Sequence, residues 1–74
     1  MNQSKICRAH CRVEAKDILL DFCVTARAAE RIKSMSETQL AECLFHNTEA
    51  GLIPSDELTD DLCQWMDEVL NEAS

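Results

Sequence analysis

The sequence is short of turn-forming residues, with one glycine (Gly51) and one proline (Pro54) in 74 positions. That leaves little material for a many-turned architecture and favours a few long elements, hence helices. Basic residues are missing from everything after Lys33, although ten of the fourteen acids lie there. Aromatics are scarce: Phe22, Phe45 and Trp65 are the whole set. No apolar run is long. The least polar stretch, residues 18–24, is interrupted by Asp21 and is too short to span a bilayer. Lys5 and Arg8 are followed by further charges and not by an apolar segment, so no secretory leader is expected and a cytoplasmic location is. In a reducing compartment five cysteines, an odd number, fit a disulfide framework poorly.

What is present is an apolar content of 46%, which suits one small folded domain over residues 1–74, and a net charge of −7. So acidic a chain lacks the basic footprint of a nucleic-acid binder. The charges are also segregated: all seven basic residues lie within the first 33 positions. Such a chain can fold its acidic end on its basic end, pair with a second copy, or present a negative face to a partner.

Residues 1–5 are polar and expected to fray. Residues 6–35 contain neither glycine nor proline and predict one long helix, with Cys11, Ala15, Ile18, Leu19, Phe22, Ala26, Ala29 and Ile32 on one face. Val13, Leu20 and Val24 fall outside that stripe, so the middle of this helix is apolar on more than one side. Ser36 with Gln39 has the spacing of a capping box, and Ser34 with Glu37 offers the same box two residues earlier. A short helix over residues 37–47 follows, with Leu40, Cys43 and Leu44 inward, and Gly51 suits a left-handed helix end. After the linker 52–55, Ser55 is a natural cap for a last helix over residues 56–71. Its apolar stripe is Leu58, Leu62, Trp65, Met66, Val69 and Ala73. The expected fold is therefore all-α: a long helix, a short one, and an acidic amphipathic helix that folds back on the first. Because so small a core is marginal, a homodimer is expected, sealed around Leu20 and Val24. Anchors of the core or interface are Leu20, Phe22, Val24, Leu58, Leu62, Trp65 and Met66.

The residues offer three chemistries. Cys7, Cys11, Cys43 and His46 have the donor types of a tetrahedral zinc site, but Cys7 and Cys11 are one helical turn apart instead of on a tight turn, and buried cysteine also packs as a small apolar residue. A cysteine with His10 or His46 would need a positioned third group and an oxyanion site, which a chain with few loops can hardly build, so no catalysis is expected. Arg8, Arg12 and Lys16 could touch phosphate in a nucleic-acid-associated regulator. Against these, the acids Asp56, Asp60, Asp61, Asp67 and Glu68 form either a solvated face, an internal partner for Arg27, Arg31 and Lys33, or a recognition surface.

Residues 27–70 resemble the small early-region proteins of lambdoid phages and prophages. The resemblance is carried by residues 36–44 (SETQLAECL), residues 51–58 (GLIPSDEL) and Trp65. Within that group the chain is most similar to Kil-type inhibitors of host cell division, although it differs from the shorter, basic lambda Kil peptide. The resemblance implies a cytoplasmic, non-enzymatic protein that binds and disables a host factor, such as the tubulin-like division protein FtsZ. The expected function is thus a protein-interaction module that inhibits a host protein, with its acidic face as the contact surface. A small zinc-binding or nucleic-acid-associated regulator is the alternative.

Overall fold

A computed structural model describes residues 6–22 and 25–73. Among these the protein is all-α, with four helices and one 3-10 turn: α1 (Arg8–Phe22), α2 (Ala26–Lys33), α3 (Glu37–Glu49), the turn Ser55–Glu57 and α4 (Asp60–Ala73). The fraying expected at residues 1–5 and the anchor role expected of Val24 lie outside the described residues. No helix in the described region is long and apolar enough to cross a membrane.

The single long helix expected over residues 6–35 is two helices. Thr25 has extended backbone (φ −131°, ψ 152°), and its hydroxyl accepts the Ala28 N–H at 3.1 Å. A threonine side chain that satisfies an orphan N–H in this way starts a new helix. The break gives α2 its own direction, with Ile32 buried and Arg27 and Arg31 exposed.

The next start follows the sequence. Ser36 and Gln39 form the reciprocal capping box, at 3.3 and 3.0 Å, and open α3. Ser34 instead ends α2, its backbone N–H pointing to the Arg31 carbonyl. The last helix begins later than Ser55. Leu58 is extended, and Thr59 is the residue whose hydroxyl accepts the Leu62 N–H at 3.1 Å, so Asp60 and Asp61 occupy the first turn where the helix dipole favours them.

α3 packs on α4, and α1 lies against both. The core joins Cys11, Ala15 and Leu19 of α1 with Ile32, with Leu40, Ala41 and Leu44 of α3, with Ile53, and with Leu62, Trp65, Met66 and Val69 of α4. Ala15, Ala41 and Cys11 are almost wholly buried, and their small size lets neighbouring helices approach closely. Each fully buried Leu, Ile or Trp contributes about 1.5–3 kcal/mol of transfer free energy. Of the expected inward residues of α3, Cys43 is only partly buried and Ala41 takes the deeper place.

One polar cluster ties three helices together. Glu37, at the start of α3, accepts the Trp65 indole N–H at 3.0 Å and two hydrogen bonds from Arg8 of α1, at 3.2 and 3.3 Å. The same guanidinium donates to both carboxylate oxygens of Glu72 on α4, at 2.7 and 3.0 Å, with Glu68 4.0 Å away. The acidic end does therefore fold on the basic end, but through Arg8. Arg27, Arg31 and Lys33 play no such part: Lys33 reaches Glu30 of its own helix at 3.7 Å, and among the described residues Arg27 and Arg31 have no carboxylate within 4.0 Å.

Candidate functional site

The end of α3 builds the most distinctive surface feature. Gly51 takes φ +80°, the left-handed geometry expected of it. Its N–H donates to the Thr48 carbonyl at 3.1 Å, and the Leu52 N–H donates to the Asn47 carbonyl at 2.9 Å, which is the paired bonding of a Schellman helix end. The Asn47 carbonyl also accepts the Ile53 N–H at 3.2 Å, so two successive residues are turned back beside α3. Ile53 enters the core, while Leu52 remains 65% exposed.

Leu52 and Ile53 thereby form one wall of an open cleft of about 410 Å³. Leu19 and Phe22 of α1 form another, and Cys43 and Asn47 of α3 line it. α2 supplies Ala28, Arg31 and Ile32, three and four residues apart on one helical face, and Met35 follows just beyond the helix end. The lining is apolar except for Arg31 and Asn47. The Asn47 amide is engaged, donating to the Cys43 carbonyl at 2.7 Å. Among the described residues, two of the four exposed large hydrophobic ones, Phe22 (41%) and Leu52, stand at this cleft; Val13 and Phe45 stand elsewhere. A smaller polar hollow of about 150 Å³ adjoins it, lined by Arg31, Ser34, Met35 and Gln39, so Arg31 and Met35 border both. The 410 Å³ of the cleft lies within the roughly 300–1,000 Å³ of sites that take ligands or side-chain anchors.

The residues singled out on sequence grounds are dispersed. Leu62, Trp65 and Met66 are core, and Leu20 and Leu58 are half-buried against it. Of the expected anchors among the described residues, Phe22 alone stands at the cleft. Asp56, Asp60, Asp61 and Asp67 are exposed, whereas Glu68 is half-buried, accepts from Gln64 at 3.0 Å and turns toward Arg8.

The alternative zinc set of Cys7, Cys11, Cys43 and His46 is not gathered. No group of three or more Cys, His, Asp or Glu side chains suited to a metal occurs among the described residues. Cys11 is buried on α1, its thiol 3.7 Å from the Asp61 carbonyl; Cys43 lines the cleft; His46 is exposed and stacks edge-on with Phe45. Burial raises the pKa of both the Cys11 and the Cys43 thiol, which holds them protonated and poor as nucleophiles. Nor do Arg8, Arg12 and Lys16 make a free basic stripe, because Arg8 is occupied by Glu37 and Glu72, and Lys16 donates to the Lys33 carbonyl at 3.5 Å.

Comparison with protein-family models, with curated proteins and with solved structures finds no match to this chain.

The sequence pattern missed this cleft for a definite reason. A continuous first helix would leave Phe22, Ala28 and Met35 on one straight rod. The break at Thr25, together with the turn at Gly51, brings them opposite Leu52. The available signal was Thr25 three residues before Ala28, a cap position inside an otherwise helical run.

Proposed function

We propose that this protein is a small non-enzymatic interaction module that takes an apolar segment of a partner protein into the cleft between α1, α2, α3 and the turn after Gly51. One observation carries this reading: Phe22 and Leu52 remain exposed at the mouth of an apolar cleft, beside an arginine that has no carboxylate within 4.0 Å among the described residues. Apolar side chains grouped around a concave surface mark sites of protein or ligand contact. The resemblance to Kil-type proteins adds the finer proposal that the partner is a host protein which binding disables, with FtsZ as the first candidate. In this reading the exposed acids of α4 keep the molecule soluble and are not the recognition surface.

The test uses affinity capture from a bacterial lysate with three baits: wild type, Leu52→Asp, and an Asp60→Lys, Asp61→Lys, Asp67→Lys variant. A protein held by wild type and by the lysine variant but released by Leu52→Asp supports the cleft. Equal capture by wild type and Leu52→Asp overturns it. The host-inhibitor proposal is tested separately by sedimenting FtsZ polymers with and without the purified chain; an unchanged pellet removes FtsZ.

A further inference from the structure

We infer that the cleft's occupant is an acidic amphipathic helix of another protein, carrying two carboxylates one turn apart beside its apolar stripe. This rests on the cleft being the docking surface and adds the chemistry of what docks there.

The floor and sides of the cleft are Leu19, Ile32, Ile53 and Cys43, which ask for apolar side chains. The α2 wall differs. Ala28 is small, so an incoming backbone can lie close to α2. Arg31 borders both the apolar cleft and the polar hollow, so a ligand filling the first is within reach of a guanidinium at its edge. Arg27 precedes Arg31 by one turn, about 6 Å along the helix, and is exposed on the same side of α2. Both lack a carboxylate within 4.0 Å among the described residues, in a chain with fourteen acids, while Arg8 engages two glutamates. Two arginines at i and i+4 match two carboxylates at i and i+4 on a facing helix, and arginine takes carboxylates in paired hydrogen bonds. Among the described residues there is no strand whose edge could pair with an extended peptide, whereas an apolar groove between helices accepts a helix.

A second copy of this chain fits less well. Its acidic helix, α4, keeps Leu62, Trp65, Met66 and Val69 in its own core and so brings acids without apolar anchors. A two-fold pairing cleft to cleft would gather four arginines, Arg27 and Arg31 of each copy, into one interface without bringing carboxylates to them.

The experiment is selection from a displayed library of 16-residue helical peptides. All carry one apolar stripe of Leu, Ile, Phe and Met; the flanking positions vary among Glu, Lys, Gln and Ser. The target is the wild-type chain, with Leu52→Asp as the parallel control; its circular-dichroism spectrum is expected to match wild type, because Leu52 is largely exposed. The expected result is enrichment of peptides with Glu at i and i+4, at least tenfold tighter by fluorescence anisotropy than their Lys counterparts, and lost on Leu52→Asp. In the Arg27→Glu, Arg31→Glu variant the preference inverts toward Lys. Enrichment that depends on Leu52 but favours neutral or basic flanks overturns the acidic helix and keeps the cleft. Enrichment indifferent to Leu52, or none, overturns the cleft itself. Sedimentation at rising protein concentration gives the remaining outcome: a wild-type dimer that Leu52→Asp converts to monomer assigns the cleft to a second copy and overturns the proposal.

Discussion

The indole N–H of Trp65 and the guanidinium Nε of Arg8 donate to the same oxygen of Glu37, from 3.0 and 3.3 Å. Trp65 is wholly buried and Arg8 is a third exposed, so this one carboxylate stands where the core meets solvent and joins α1, α3 and α4. It also satisfies the polar atom of the largest core side chain, without which burying the indole would cost free energy.

Replacing Trp65 with Phe keeps most of the ring volume and removes that donor. We expect a loss of roughly 2 kcal/mol in urea unfolding, because a hydrogen bond to a charged group is broken. Trp65→Ala adds a cavity and costs about 3–5 kcal/mol. In a Glu37→Gln background the Phe substitution should cost clearly less, and equal costs in both backgrounds would show the two residues to be uncoupled.

Acid sensitivity follows from the same cluster. The Trp65 hydrogen bond, then the Arg8 guanidinium, hold the Glu37 carboxyl below its ordinary value of 4.5, and Arg8 lowers that of Glu72. With a folded-state pKa below the unfolded one, the unfolded chain binds protons more readily, so stability rises with pH through this range. The contribution is complete above about pH 4.5 and is lost as pH falls through the lowered folded value. Thermal unfolding followed from pH 7 to pH 3 should therefore give a steeper fall in Tm for wild type than for Glu37→Gln. Parallel curves would show that the cluster does not set the acid limit.

Capping separates two candidate starts of α4. Thr59→Ala removes the acceptor of the Leu62 N–H and should cost about 1 kcal/mol. Ser55→Ala, five residues upstream of the helix, should stay within about 0.5 kcal/mol. A larger loss at Ser55 in chemical denaturation would place the cap where the sequence pattern first suggests it.

Gly51→Ala isolates a backbone effect. No atom lies within 4 Å of where its Cβ would stand, so the penalty is that of the positive φ alone, about 1–2 kcal/mol. Gly51→Asn should cost less, because asparagine tolerates the left-handed region. Unfolding curves of the two variants that coincide with wild type would show that the turn relaxes at no cost.

The helical class, the capping box at Ser36, the left-handed Gly51 and Leu62, Trp65, Met66 and Val69 of the inward stripe of α4 were legible, because each rests on neighbours within one or two turns; Ala73, expected on that stripe, is exposed at the helix end. The break at Thr25 was not, since a lone threonine in a run of good helix formers carries a weak signal beside the apolar period around it. The start of α4 was misplaced for a related reason: Ser55, Asp56 and Glu57 have the chemistry of a first turn, but so do Thr59, Asp60 and Asp61, and packing of Leu58 and Leu62 chooses between them. The fate of the charges needed the third dimension. Arg8 and Glu72 are 64 positions apart, and nothing local says that Arg8 takes the glutamates while Arg27 and Arg31 find none among the described residues.

Asn47 has two duties, closing the end of α3 through its carbonyl and walling the cleft. Occupancy and the integrity of that final turn are therefore thermodynamically linked, and linkage acts in both directions. A bound helix should slow deuterium uptake at the amides of Gly51, Leu52 and Ile53, whose hydrogen bonds face inward to α3, and anything that unwinds the turn should speed release of the guest.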